Sequence, residues 1–128
     1  MAKRILIADD NSAMRNHIRT CLESCPGFAI CQEAVDGMEA IHMARQEKPD
    51  LIVLDLCMPG LNGLEAAAIL KCLLPSVPII LFTLHKEIVT EKQAKASGIS
   101  SVISKTAQVE ELLQEAQRLT AIARSTSA

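Results

Sequence analysis

The amino-acid sequence predicts an α/β domain in which an open parallel sheet is covered by helices on both faces. Five short aliphatic runs, Ile5-Leu6-Ile7-Ala8, Phe28-Ala29-Ile30-Cys31, Leu51-Ile52-Val53-Leu54, Ile79-Ile80-Leu81-Phe82 and Val102-Ile103-Ser104, alternate with segments of helical period. The runs are almost continuously apolar rather than alternating, as expected of strands buried on both faces. Right-handed crossovers between successive parallel strands then distribute the intervening helices over the two faces.

The first helix is expected to begin at a Ser12 N-cap. Its Met14, Ile18, Cys21, Leu22 and Cys25 follow helical spacing up to a stop at Pro26-Gly27. Asp36-Gly37-Met38-Glu39 and Asn62-Gly63-Leu64-Glu65 both read as capping boxes, an acceptor side chain with Glu three residues on, and open the second and third helices. A fourth helix is predicted from about Lys86 to Ser97, with sparse apolar anchorage and Gly98 as its stop. The fifth, from Val109 to about Ala123, places Val109, Leu112, Leu113, Ala116 and Leu119 on one face. Residues 1–123 are thus expected to form one domain, with 124–128 as a flexible tail or the start of a linker.

Composition narrows the function. The 128 residues fit a single core, 49% are hydrophobic, and with two Phe and no Trp or Tyr that core must be aliphatic. A net charge of −2 with scattered basic residues gives no basis for nucleic-acid binding by this domain. The absence of a long apolar segment or secretory leader points to a cytoplasmic protein that does not enter a membrane. Cys21, Cys25, Cys31, Cys57 and Cys72 are odd in number and lack any Cys-x-x-Cys spacing, which argues against both a disulfide framework and a zinc site. His17, Cys21 and Cys25 could share a helix face, but small buried thiols beside a partly exposed imidazole are the favoured reading.

Four of the five runs end in groups able to handle a phosphoryl group: Asp9-Asp10, Asp55, Thr83 and Lys105. The carboxyl ends of parallel strands line one edge of an open sheet, where ligand crevices form. Each residue alone has an ordinary structural explanation as a cap, a turn or a solvated strand end. Together they place three carboxylates, a hydroxyl and an ammonium at one edge, a set suited to Mg²⁺ and a phosphate.

The pattern Ile-Leu-Ile-Ala-Asp9-Asp10, Leu-Ile-Val-Leu-Asp55-Leu-Cys57-Met58-Pro59-Gly60-Leu-Asn62-Gly63, Leu-Phe-Thr83 and Val102-Ile-Ser-Lys105 resembles the response-regulator receiver domains of two-component signalling. The resemblance runs from Lys3 to about Ala123. It implies a flavodoxin-like, doubly wound sheet of order 2-1-3-4-5. It further implies that Asp55 is a nucleophile accepting a phosphoryl group from a histidine kinase or phosphotransfer protein, and that Asp10, Asp9, Asp55 and the Cys57 backbone carbonyl serve Mg²⁺. Lys105 would neutralise phosphoryl charge and pair with Asp55 beforehand, while Thr83 would donate to a phosphate oxygen and shift the surface of helix 4, strand 5 and helix 5. Such a chain is a switch that catalyses its own phosphorylation and dephosphorylation, rather than an enzyme with a separate substrate.

Several positions depart from the family pattern. Val102 stands where an aromatic is common, Thr106 follows Lys105 in place of Pro, and Leu84 replaces a small residue after Thr83. No strong cis preference is expected at Lys105-Thr106. Leu84 is expected to narrow access to the site; His85 and the Cys57 side chain lie where they could affect hydrolysis, although a merely solvent-exposed imidazole is the favoured reading of His85. The Lys105-Thr106 ending, with Glu33-Ala34-Val35-Asp36-Gly37, is similar to receivers that precede helix-turn-helix DNA-binding domains, and such an output domain would lie beyond Ala128; a stand-alone receiver that relays phosphate or docks on a partner fits the sequence equally well. An aspartate-nucleophile phosphatase would need a second Asp where Cys57 stands. Flavin binding would need an aromatic and a hydroxyl-rich loop, and a phosphate-independent interaction module would have no use for the five site residues.

Overall fold

The computed structural model describes residues 2–121, so the expected helix end at Ala123, the domain limit at 123 and the tail 124–128 lie outside the described residues. Strands β1 (Lys3–Ala8), β2 (Phe28–Ala34), β3 (Leu51–Leu54), β4 (Ile79–Thr83) and β5 (Ser101–Ser104) alternate with helices α1 (Ser12–Glu23), α2 (Gly37–Glu47), α3 (Gly63–Leu73), α4 (Glu91–Ala96) and α5 (Val109–Thr120). All strand pairs are parallel and the order is β2-β1-β3-β4-β5, the predicted doubly wound arrangement.

Successive strand residues point to opposite faces, and the sequence fills both. Leu6, Ala8, Ile52, Leu54, Ile79 and Leu81 pack under α2, α3 and α4 with Ala40, Ala44, Ala66, Ala67, Leu70 and Ala94. Ile5, Ile7, Leu51, Val53, Ile80 and Phe82 pack under α1 and α5 with Ile18, Leu22, Leu112 and Ala116. Small Ala residues on the first face let its helices lie close to the sheet. Truncating a fully buried residue such as Ile80 to Ala would cost about 2–5 kcal/mol.

Three features of the helices differ from the sequence expectations. The α1 N-cap is Asn11, one residue before Ser12, because its amide oxygen accepts the Met14 N–H at 2.9 Å. Asp36 caps α2 by accepting the Glu39 N–H at 2.8 Å, but Glu39 reaches back to the Val35 N–H at 2.9 Å rather than to Asp36, so only half of the expected box forms. The Asn62–Glu65 box forms in full. The predicted fourth helix splits into a 3₁₀ turn, Lys86–Ile88, and a six-residue α4. The split occurs where Thr90 and Gln93 form their own capping box and start a new helix. Gly98, at φ +77°, ends that helix as expected.

Edge strand β2 runs three residues past its apolar stretch to Ala34. It carries a bulge, since Ile5 pairs with Ile30 while Leu6 pairs with Gln32. Cys31 is the extra residue, and its thiol donates to the Ile5 carbonyl at 3.4 Å. Burial raises the Cys31 thiol pKa, so the thiol keeps the proton it donates.

Candidate functional site

Three site residues sit immediately beyond their strands with their backbones still hydrogen-bonded to the sheet. The Asp9 N–H donates to Ala34 of β2 at 3.0 Å, the Asp55 N–H to Ala8 of β1 at 2.9 Å, and the Lys105 N–H to Thr83 of β4 at 2.8 Å. Side-chain positions therefore follow from strand registry. Gly63 completes the fit at the start of α3: a Cβ there would lie 2.3 Å from the Asp55 carbonyl oxygen and 2.9 Å from Leu56 Cα. Only glycine allows α3 to begin so close to the β3 end.

Asp9, Asp10 and Asp55 each offer a carboxylate oxygen, all within 4.8 Å of one another. Three hard oxygen donors at this spacing fit a small divalent cation and exclude a soft-metal preference. The Lys105 ammonium enters the cluster, 2.7 Å from Asp9 Oδ2 and 3.3 Å from Asp55 Oδ1. The expected pairing with Asp55 is thus present, but Asp9 receives the shorter bond. The other Asp9 oxygen accepts the Asn11 N–H at 2.9 Å, so both its oxygens are engaged by the protein. Asp10 is exposed and keeps its carboxylate open to a ligand.

Lys105 and Asp55 side chains are only 6% and 9% exposed, which makes their charges expensive. Burial pushes the Asp55 carboxyl above its ordinary pKa, Lys105 pulls it down, and the Asp9 charge pushes it up again.

Thr83 is fully buried at the end of β4, and its hydroxyl oxygen accepts the His85 N–H at 3.0 Å. Its own proton remains available for donation. Leu84 is 57% exposed, which leaves most of its surface in solvent. His85 and Cys57 are exposed as well, while Val102 is partly buried against the core beneath α4. All described peptide bonds are trans, including Lys105-Thr106.

Cys21 and Cys25 do not join His17 in a metal site. The Cys21 thiol is directed at the Val109 carbonyl, 3.5 Å away, and Cys25 is buried, accepting from Gln117 at 3.7 Å. Among the described residues the acidic trio is the only group of three candidate ligands.

The sequence reading omitted Arg15. Its guanidinium donates to the Asp9 carbonyl at 2.7 Å and lies 3.3 Å from Glu33, fixing the backbone beneath the acidic pair. A sequence signal existed in its position one turn into α1, where an α1 residue can reach back to the β1 end. The choice of Asp9 as partner depended on the tertiary fold.

Beyond the shared sheet edge that carries the clustered carboxylates and the ammonium between them, the chain matches the family described as response regulator receiver domain over residues 5–117. The chain belongs to that family. This receiver domain is similar to chemotaxis protein CheY of Halobacterium salinarum, 36% identical over 105 residues that cover 82% of this chain and 86% of that protein. It is 39% identical over 80 residues to a protein-glutamate methylesterase/protein-glutamine glutaminase of Pyrococcus abyssi, covering 62% of this chain but spanning only 22% of that longer protein. Among solved structures, a LuxR-family two-component response regulator from Aurantimonas superposes with TM-score 0.87 at 31% identity, covering 97% of this chain and 89% of that one. No helix of the described residues is long and apolar enough to cross a membrane.

Proposed function

We propose that this receiver domain is a phosphoacceptor switch in which Asp55 takes a phosphoryl group from a histidine kinase or a histidine phosphotransfer protein. The observation that carries the reading is the convergence of three carboxylates within 4.8 Å with an ammonium 3.3 Å from Asp55. An Asp55 oxygen attacks phosphorus, the phosphorus–nitrogen bond of the phosphohistidine breaks, and its electron pair stays on the imidazole. The product is an acyl phosphate on Asp55. Lys105, freed from part of its pairing with Asp9, balances charge on the equatorial phosphoryl oxygens.

The acidic trio fits Mg²⁺, which when bound would neutralise phosphoryl charge. Asp10 would be the direct ligand, with Asp55 and the Cys57 carbonyl beside it. Asp9 would act at one remove, as the engagement of both its oxygens supports. Calorimetric titration tests these roles: Asp10→Ala is expected to weaken Mg²⁺ binding more than Asp9→Ala, and equal losses would contradict the assignment.

Output follows from Thr83. When its hydroxyl donates to a phosphate oxygen, the hydroxyl oxygen and the His85 N–H it holds shift together, and the 3₁₀ turn and α4 follow. Helix α4 has one buried residue, Ala94, so it moves at low cost. With Val102 in place of a ring, this helix is the main route to the surface of α4, β5 and α5. A DNA-binding output domain following this segment, or a separate docking partner in the cytoplasm, would read that change.

The decisive experiment incubates the protein with Mg²⁺ and acetyl phosphate and measures intact mass. One added phosphate, lost in Asp55→Asn, is the expected result. An unmodified protein, or phosphate retained in Asp55→Asn, overturns the assignment.

A further inference from the structure

The loop that delivers Lys105 is a tight turn closed twice. The Ala107 N–H donates to the Ser104 carbonyl at 3.0 Å, which makes Lys105 and Thr106 the two central residues of a β-turn. Inside it, the Ser104 hydroxyl oxygen accepts the Thr106 N–H at 3.1 Å and meets the Thr106 hydroxyl at 2.6 Å. Ser104 can do both, because a hydroxyl that accepts from an N–H still has its own proton to give.

We infer that Ser104 and Thr106 are positioning residues: their paired hydroxyls hold the Lys105 turn and so place the Lys105 ammonium between Asp9 and Asp55. A proline after Lys105 would stiffen this turn covalently, whereas here the restraint is a side-chain clasp. The backbone anchor from the Lys105 N–H to Thr83 fixes where the stem starts but not how the chain leaves the residue. That second constraint matters because Nζ is held to 2.7 Å and 3.3 Å by two carboxylates on different strands. A displacement of about 1 Å at such a site costs on the order of 100-fold in rate.

The consequence for rate rests on the phosphoacceptor reading, but the position of Lys105 can be read without it. Thr106→Val keeps the side-chain shape and removes one hydroxyl, and Ser104→Ala removes the other. In each, amine acetylation by acetic anhydride, quantified by mass spectrometry, should increase at Lys105 relative to Lys3 by about threefold or more. Phosphorylation of Asp55 by acetyl phosphate should slow about fivefold in Thr106→Val, the rate equivalent of one lost hydrogen bond, and further in Ser104→Ala, which also loses the acceptor of the Thr106 N–H. Thr106→Ser should keep both values near wild type, a rescue that a mere stability defect does not produce. Wild-type acetylation and phosphorylation in Thr106→Val and Ser104→Ala would overturn the clasp and leave the phosphoacceptor reading standing. Lack of phosphorylation in the wild type would overturn that reading, and the acetylation ratio would still decide the clasp.

Discussion

Replacing Lys105 with Met removes the one ammonium in the acidic cluster while keeping a stem of similar length. Asp9 and Asp55, 1% and 9% exposed at their side chains, would then face each other without a counter-charge. A unit pair about 4 Å apart is worth about 4 kcal/mol at an effective dielectric near 20. Removing one partner from a buried pair typically costs roughly 3–5 kcal/mol, so a loss of that size is expected in EDTA. That is a large share of the roughly 5–15 kcal/mol that holds a domain together. Mg²⁺ would supply the missing positive charge, and binding at 100 times the dissociation constant returns about 2.7 kcal/mol. Metal and ammonium draw on the same cluster of negative charge, so Lys105→Met should bind Mg²⁺ more tightly than wild type and gain more stability from it. With no Trp or Tyr, the assay is urea unfolding followed by far-ultraviolet circular dichroism, with and without Mg²⁺. A variant within about 1 kcal/mol of wild type in EDTA, or equal Mg²⁺ stabilisation of both proteins, would refute the reasoning.

Gly63→Ala should destabilise the domain by more than about 2 kcal/mol in urea unfolding and slow Asp55 phosphorylation, because its Cβ meets backbone at 2.3 Å. Asp55→Asn should raise metal-free stability at neutral pH. The folded carboxyl pKa is raised, so the native state holds its proton more tightly and wild-type stability falls as pH rises through that pKa. A pH series of unfolding midpoints in EDTA should show that fall in wild type and not in the variant. Glu115 behaves oppositely: hydrogen bonding from Arg118 lowers its pKa from 4.5 to about 2, so its contribution is present above pH 4.5 and disappears toward pH 2. Glu115→Gln should remove that acid-sensitive part, by a small amount because Arg118 is solvent-exposed. Thr90→Ala deletes the α4 cap and should speed amide hydrogen exchange within Glu91–Ala96 without changing exchange in β1 or β3.

The strands were legible because burial on both faces leaves an unbroken aliphatic signature, and Leu51–Leu54 is located by that alone. The same logic missed Gln32–Ala34, where an edge strand needs no such run. The break before α4 was present in the sequence as Thr90 and Gln93, a capping pair hidden inside a stretch that otherwise had helical composition. Asp9, Asp10, Asp55 and Lys105 were legible as neighbours because strand order brings their ends together. The preference of Lys105 for Asp9 was not, since it depends on which oxygens other donors already occupy. The grip of Arg15 on the Asp9 carbonyl likewise arises only once α1 packs beside β1.

The domain divides its labour along the sheet edge. Asp9, Asp55 and Lys105 are each one residue past a strand and share its hydrogen bonding, so in the proposed reaction the charges that would meet a phosphoryl group stand on backbone tied into the sheet. Thr83 belongs to that edge through β4, yet its hydroxyl holds the His85 N–H at the start of a segment whose 3₁₀ turn has no buried residue and whose α4 has one. A single side chain therefore joins the sheet-anchored candidate site to a surface element with little burial. On the proposed phosphoacceptor reading, a charge change at Asp55 would be registered at Thr83, and the free energy required would be set by α4, with one buried residue, rather than by the core. Substitutions at the strand ends should accordingly change phosphorylation chemistry, whereas those between Leu84 and Ala96 should change what the surface reports once Asp55 is modified.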